Sequence, residues 1–162
     1  MDRTTANDLV DRAFAKVRSD ESFLLQNNVH ERSIVHKFAA YLQQEFDNEV
    51  GDEEVVVDCE YNRENHGDTK TLPKPQEDNE EDQIYPDVIV HKRGNHSKNL
   101  LVIEAKKETN KDNFKSDKKR LRILTNDGDH NKRYNYDQGV FLLIYVNDNW
   151  EKEIETEYYP KD

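Results

Sequence analysis

The sequence has little of what several common kinds of functional site require. Its single cysteine, Cys59, excludes an internal disulfide, and we expect a small apolar residue buried in a strand, in the reducing cytoplasm. The five glycines are scattered and form no glycine-rich phosphate loop. No serine or cysteine nucleophile motif occurs, and the six histidines show no zinc spacing with the cysteine. A site in this chain therefore has to be built mainly from carboxylates, lysines and arginines.

Long apolar runs are also missing from the chain. No segment approaches the roughly 18 apolar residues of a membrane span, and the first ten residues lack an apolar signal segment. We therefore expect no membrane partner. The chain has 162 residues, of which 36% are charged and 33% are hydrophobic. This length and composition predict one domain with a single modest core.

The charge of the chain is distributed unevenly. The formal net charge of −11 argues at first against a nucleic-acid partner. Residues 43–82, however, hold 15 acidic and 3 basic side chains, a net of −12, so the remainder is close to neutral. Residues 89–133 hold 13 basic and 6 acidic side chains, a net of +7. The acidity is thus confined to one segment, and a basic segment follows it.

Hydrophobic periodicity predicts alternating helices and strands along the chain. Helices are expected at residues 5–18, 28–46 and 110–125. Strands are expected at residues 54–63, 84–91, 100–106 and 139–146. The less regular parts are an N-terminal helical extension (1–27), an acidic flexible loop (64–83) and a peripheral tail (147–162), which is either a strand or a short helix.

The predicted hairpin at residues 84–106 carries charges inside its strands, where apolar residues are usual. Asp87 lies in the first strand, and Glu104 and Lys106 share one face of the second. If His91 pairs with Leu100, Asp87 lies directly opposite Glu104. Facing carboxylates repel unless a cation lies between them, and Lys106 with a divalent metal would provide that charge. The same pattern also fits solvated side chains on an open sheet face, or a buried ion pair.

Glu31 has two interpretations, which are not exclusive. It follows Asn28, a candidate N-cap, by three residues, which is the spacing of a capping box. It also fits a third acidic side chain that faces a metal site from the second predicted helix.

The predicted helix at residues 110–125 carries a basic stripe. Its members recur at spacings of four, three and four, with Lys119 and Arg120 beside them: Lys111, Lys115, Lys118 and Arg122. Such a stripe fits either a track for nucleic-acid phosphates or a solvated helix face.

Two short motifs and the order of elements together carry a resemblance to a known superfamily. The motifs are Pro86-Asp87 and Glu104-Ala105-Lys106, and the order is helix, strand, strand, strand, helix, strand. Over residues 28–146 the chain resembles the PD-(D/E)XK nuclease superfamily, which includes type II restriction endonucleases and archaeal Holliday-junction resolvases. Four runs also resemble small uncharacterised bacterial members: HERSIVHKF, EYNRE, YPDVIVHKRG and NLLVIEAKK. The resemblance implies an α/β, restriction-endonuclease-like core with a central mixed sheet of about four strands flanked by helices.

The resemblance also implies a chemistry. Asp87, Glu104 and the Ala105 carbonyl would hold Mg²⁺ or Mn²⁺, which lowers the pKa of a water molecule and neutralises developing charge. Lys106 would orient or help deprotonate the attacking water and stabilise the charge of the transition state. Glu31 matches the acidic position that many members carry on the first helix.

A metal-dependent DNA endonuclease is the leading expectation from this resemblance. The residues chosen for nucleic-acid contacts lie on the basic helix and after the first strand: Lys115, Lys118, Lys119, Arg122, Tyr61 and Arg63. Cutting both strands of a duplex would require two sites and therefore a homodimer. Two alternatives remain. One is a catalytically silent module that binds nucleic acid or a protein partner, and the other is a subunit active only within a complex.

Overall fold

A five-stranded mixed sheet forms the centre of the computed structural model, with helices on both of its faces. The structure describes residues 1–64, 68–69, 71–73, 81–110, 112, 114–125 and 134–160. The helices are α1 (Arg3–Asp20), α2 (Ser22–Gln26), α3 (Glu31–Glu49) and α4 (Phe114–Leu124). The strands of the central sheet are β1 (Val56–Cys59), β6 (Val88–His91), β7 (Asn99–Lys107), β8 (Gln138–Ile144) and β9 (Glu155–Tyr159). Two short antiparallel pairs lie outside it: β2 (Arg63–Glu64) with β3 (Asp68–Thr69), and β4 (Thr71–Pro73) with β5 (Glu81–Gln83).

The order of strands in the central sheet is β1-β6-β7-β8-β9. Strands β7 and β8 are parallel and are joined through α4, whereas the other neighbours are antiparallel. The α/β class with a mixed sheet is confirmed, but the strand number of about four is too low. The fifth strand is β9, which forms in the predicted tail. It is short and carries Glu155 and Glu157, so its sequence lacks the apolar run that marks an interior strand.

Strand β7 lies in the middle of the sheet and is buried on both faces. Leu101 and Ile103 belong to the core that α1 and α3 cover, and Val102 belongs to the core on the side of α4. Because side chains alternate along a strand, Glu104 follows Val102 on the α4 face. A charge placed there needs a partner, since a buried unpaired carboxylate is costly.

The hairpin register agrees with expectation where the carboxylates lie. Val88 pairs with Ile103, so the next position places Asp87 opposite Glu104. At the other end the predicted pairing of His91 with Leu100 is wrong. A β-bulge between residues 90 and 91 shifts the register, and His91 pairs with Asn99 instead.

Helix α3 begins three residues after the predicted start. Its N-cap is His30, whose ring accepts a hydrogen bond from the Arg32 amide at 3.3 Å. The expected cap, Asn28, has a positive φ of 47° and accepts a hydrogen bond from the Lys107 ammonium at 2.8 Å. The predicted N-cap is therefore wrong, because Asn28 lies in the turn before the helix.

Two further expectations concern residues near the end of β1. Cys59 is in a strand as expected, but it is exposed rather than buried. At its described positions the segment 64–83 contains the last residue of β2 and the short strands β3, β4 and β5, and the rest of that predicted loop lies outside the described residues. Within the described part of the chain, no helix combines the length and apolar character needed to cross a bilayer.

Candidate active site

A cleft of about 640 Å³ lies between the first half of α3 and the ends of three neighbouring strands. The wall from the helix side is formed by His30, Glu31, Arg32, Val35 and His36. The wall from the sheet side is formed by Cys59, Glu60, Tyr85, Asp87 and Lys106. Three of the four residues expected to be catalytic, Glu31, Asp87 and Lys106, thus lie in one concavity.

Asp87 is fixed at the point where β6 begins. Its carboxylate Oδ2 accepts a hydrogen bond from the Ala105 amide at 2.8 Å, and its carbonyl accepts one from the Glu60 amide at 3.2 Å. Burial raises the pKa of Asp87, and the neighbouring Glu31 raises it further, while the Ala105 amide and Lys106 oppose the shift. The carboxylate is therefore rigidly held in a place that disfavours its charge.

Glu104 is the most deeply buried charged residue of the predicted set, with only 1% of its surface exposed. Its Oε1 accepts a hydrogen bond from Nη1 of Arg120 at 2.9 Å. Burial and the facing Asp87 hold the pKa of Glu104 well above its usual value, although Arg120 lowers it. The single arginine thus compensates the buried charge only in part.

Lys106 lies between two carboxylates on different helices. Its Nζ is 3.5 Å from Oε1 of Glu31 on α3 and 3.5 Å from Oδ2 of Asp117 on α4. Burial alone would lower the pKa of Lys106, but Asp117, Glu31, Asp87 and Glu104 together raise it. The ammonium therefore stays charged and ties the sheet to both helical layers.

Glu31 is the first residue of α3 and faces the end of β7. Its Oε2 accepts a hydrogen bond from the Lys107 amide at 2.9 Å, while its Oε1 lies near Lys106. The capping-box interpretation is wrong, because the helix begins at Glu31 and this carboxylate pairs with the strand instead. The other interpretation, a third acidic side chain that faces a metal site, stays a prediction.

Sequence reasoning missed two members of the cluster, both on α4. Asp117 is buried, and Arg120 contacts it at 3.4 Å as well as holding Glu104. In the sequence, Arg120 belongs to a basic helix and Asp117 is one acid among many, so neither stands out. The one feature of the sequence that could have indicated them is their spacing of three residues, which places both side chains on one face of a helix.

The charges of this cluster do not balance. Four carboxylates, those of Glu31, Asp87, Glu104 and Asp117, face two cations, Lys106 and Arg120. The formal sum is −2. Oδ2 of Asp117 is buried, and it accepts none of the hydrogen bonds that the structure describes.

The donor set fits a hard divalent cation in charge and in ligand type. Carboxylate oxygens and a backbone carbonyl are the ligands that Mg²⁺ prefers, and a charge of +2 would cancel the excess. Within the described residues, no three His, Cys, Asp or Glu side chains already converge as a metal-binding group. The candidate ligands would be Asp87, Glu104 and the Ala105 carbonyl.

The basic residues of α4 divide into two groups. Lys115, Lys119 and Arg122 are exposed. Lys118 is instead bound to Glu157 of β9 at 2.5 Å, and its ammonium lies 4.7 Å from the centre of the Phe141 ring. Lys118 therefore has a structural partner, and three exposed cations remain as the predicted phosphate track.

The two residues expected after the first strand do not line the cleft. Tyr61 is partly buried against the α4-side core, with its ring centre 4.7 Å from that of His91. Arg63 is exposed in β2. Neither is among the described residues that form the cleft walls.

Comparison of the chain with protein-family models, with curated proteins and with solved structures found no match in any of the three.

Proposed function

We propose that the chain is a metal-dependent nuclease that hydrolyses phosphodiester bonds of DNA, built on a restriction-endonuclease-like core. Asp87, Glu104, Lys106 and Glu31 form its catalytic set. One observation carries the proposal: the register of β6 and β7 places Asp87, directly before β6, opposite Glu104, with Lys106 two residues further along β7, in a cluster whose formal charge is −2. The resemblance of the Pro86-Asp87 and Glu104-Ala105-Lys106 motifs to PD-(D/E)XK nucleases supports the same chemistry.

Mg²⁺ or Mn²⁺ would supply charge neutralisation at the phosphate and a lowered pKa for the attacking water. The residues of this chain would hold the cation and fix the direction of the oxygens that bind it. Asp87 is anchored by the Ala105 amide, so its second oxygen keeps a fixed direction. Glu104 is anchored through Oε1 by Arg120, which leaves Oε2 as the oxygen for a cation.

Lys106 keeps its proton at Nζ, because four carboxylates surround it. Hydrolysis forms a bond from water oxygen to phosphorus and breaks the bond to the ester oxygen, which takes up a proton. A charged ammonium beside the reacting phosphate stabilises the negative charge that develops on its oxygens and orients the water. Glu31 holds this ammonium in place from α3.

A non-cleaving module that binds nucleic acid is the second candidate function. The observation that favours it is the ion pair between Arg120 and Glu104, which already compensates part of the buried charge. In such a module, Arg120 would take the place of a metal as the partner of Glu104.

A metal titration distinguishes these candidates. Mg²⁺ and Mn²⁺ are added to the wild type, to Asp87→Asn and to Glu45→Gln, with thermal unfolding and nicking of supercoiled plasmid measured in the same samples. Glu45 is a matched control, since it is also a nearly buried acid but pairs with Lys16 and Arg12 elsewhere. At a metal concentration 100 times Kd, binding stabilises the folded state by about 2.7 kcal/mol.

The nuclease proposal expects metal to stabilise the wild type and Glu45→Gln, but not Asp87→Asn, and the wild type to nick the plasmid. Stabilisation without nicking would retain the metal site and replace the proposal by a subunit that cuts only within a complex. If metal stabilises none of the three proteins, metal-dependent hydrolysis at this cluster is refuted, and the non-cleaving module in which Arg120 replaces the metal takes its place.

A further inference from the structure

The two walls of the cleft are joined by an ion pair at its rim. Nε of Arg32, in the first turn of α3, lies 2.7 Å from Oε1 of Glu60, the residue that follows β1. Both side chains line the cleft and are exposed, with 76% and 43% of their surface accessible. An exposed pair of this kind is worth about 0–1 kcal/mol, so a stronger anion can displace the carboxylate at little cost.

The backbone fixes Glu60 in this position. Its φ is +48°, a conformation that residues with a side chain rarely adopt, and its amide donates a hydrogen bond to the Asp87 carbonyl. Glu60 is thus attached directly to the backbone of a proposed catalytic residue. An anion that takes its place on Arg32 would lie at the rim of the same cleft that Asp87 lines.

An exposed aromatic ring lies on the sheet side of the cleft. Tyr85 has 49% of its surface accessible, although it stands between the buried residues Ile84 and Pro86. The following proline restricts its backbone, and its hydroxyl donates a hydrogen bond to Oε1 of Gln83 at 2.9 Å. The ring is therefore presented to the cleft in a fixed place, which lowers the entropic cost of stacking a ligand on it.

These features fit an unpaired nucleotide better than a stretch of duplex. Bases that are not paired expose their faces, and aromatic side chains bind them by stacking. A concave site of about 640 Å³ has the size usual for small ligands, and a base must leave its stack to enter such a site. Phosphate is the anion that an arginine fork binds well.

We propose that this cleft binds one unpaired nucleotide of a DNA strand, with the base stacked on Tyr85 and a phosphate on Arg32 in place of Glu60. Single-stranded or locally unpaired DNA is then the preferred substrate class. This inference rests on the proposed function, because it takes the cleft that holds Asp87 and Lys106 as the place where the strand is cut. Glu60 acts as an internal competitor for the phosphate site.

The test measures binding of a fluorescent single-stranded oligonucleotide and of the same sequence as a duplex. Ca²⁺ replaces Mg²⁺, and a denaturing gel checks that the strand stays intact. The variants are Tyr85→Ala, Tyr85→Phe, Arg32→Ala and Glu60→Gln. The matched controls are Phe23→Ala, an exposed aromatic residue outside the cleft, and the members of another ion pair, Lys37→Ala on α3 and Glu21→Gln between α1 and α2.

The wild type is expected to bind the single strand more tightly than the duplex. Tyr85→Ala should weaken single-strand binding about 5- to 100-fold, and Tyr85→Phe should retain most of it, since the stacking face is kept and only the hydrogen bond to Gln83 is lost. Arg32→Ala should weaken binding several-fold, and Glu60→Gln should tighten it. The three control variants should bind as the wild type does, because their charges and ring lie away from the cleft.

Three results would overturn the inference. These are equal binding of duplex and single strand, equal losses in Tyr85→Ala and Phe23→Ala, and a Glu60→Gln variant that binds no more tightly than Glu21→Gln. If one of them occurs while the wild type still nicks plasmid with Mg²⁺, the substrate inference fails and the nuclease proposal stands. If the wild type neither binds DNA nor cuts it, both are refuted.

Discussion

Arg120 of α4 donates a hydrogen bond from Nη1 to Oε1 of Glu104 over 2.9 Å, and this contact joins the helix to the most buried charge of the central strand. Only 27% of the arginine side chain and 2% of the glutamate side chain are exposed. A carboxylate in that position would be strongly destabilising without a cation. The helix that follows β7 therefore does more than cover the sheet, since it makes the charge on β7 tolerable.

Arg120→Met should lower the free energy of unfolding by about 3 kcal/mol, because it leaves Glu104 buried without its cation. Arg122→Met, on the exposed side of the same helix, should change it by less than about 1 kcal/mol. Urea unfolding of both variants measures the difference. The double variant Arg120→Met with Glu104→Gln should regain most of the lost stability, since the unpaired charge is then gone. Equal losses in Arg120→Met and Arg122→Met would contradict this role of Arg120.

Glu104→Gln should raise stability at neutral pH. Burial and the facing Asp87 hold the folded-state pKa of Glu104 well above its unfolded value, so deprotonation of this carboxyl costs more free energy in the folded state than in the unfolded state. Its contribution to stability is full below the unfolded pKa and is lost as pH rises towards the folded pKa. The advantage of Glu104→Gln should therefore grow as pH rises above the unfolded pKa of the carboxyl and should shrink as pH falls towards that pKa.

Thermal unfolding of the wild type and Glu104→Gln across this pH range measures the effect. A gain of about 1 kcal/mol corresponds to about 2–4 °C in Tm for a chain of this size. Glu45→Gln is the control with the opposite sign, because Lys16 lowers the pKa of Glu45 and its charged form is stabilising. An advantage of Glu104→Gln that grows towards acid pH would show that the buried carboxylate is not a source of instability.

The strand part of the cluster could be predicted from the sequence, because its geometry follows from local rules. Side-chain alternation and a short hairpin are enough to place Asp87 opposite Glu104, and the observed register agrees there. The bulge between residues 90 and 91 was not predictable from the same rules. It changes the pairing only at the turn end of the hairpin, away from the carboxylates.

The helix part could not be predicted in the same way. Whether Asp117 and Arg120 reach the sheet depends on how α4 packs between β7 and β8, and that is a tertiary property. A basic helix therefore appears in the sequence as a uniform stripe. In the structure Arg120 faces the buried cluster, Lys118 binds Glu157, and Lys115, Lys119 and Arg122 are exposed, while Lys111 lies outside the described residues.

Lys106→Met should lower the rate of plasmid nicking at least about 100-fold, because the ammonium that orients water and stabilises the transition state is removed. It should also lower stability by about 1–3 kcal/mol, since Glu31 and Asp117 lose the cation between them. Added Mg²⁺ should reduce this loss of stability without restoring the rate. Nicking assays and thermal unfolding with and without metal measure both effects.

Lys98→Met is the matched control for Lys106→Met. Lys98 also pairs with two carboxylates, Asp52 and Glu54, but these lie outside the cleft. It should cut plasmid at the wild-type rate. A Lys106→Met variant that cuts as fast as Lys98→Met would remove Lys106 from the proposed chemistry.

Lys119→Gln should weaken DNA binding more than Lys118→Gln does, although the two residues are adjacent on α4. The Lys118 ammonium is already bound to Glu157 and lies over Phe141. Because Glu157 compensates its charge, Lys118 attracts a phosphate only weakly. The slope of log K against log salt should become shallower by about 0.7–0.9 for Lys119→Gln and should stay unchanged for Lys118→Gln. Fluorescence anisotropy at four or five salt concentrations measures the slopes. If both variants lose the same slope, the ion pair with Glu157 opens when DNA binds, and the phosphate track includes both lysines.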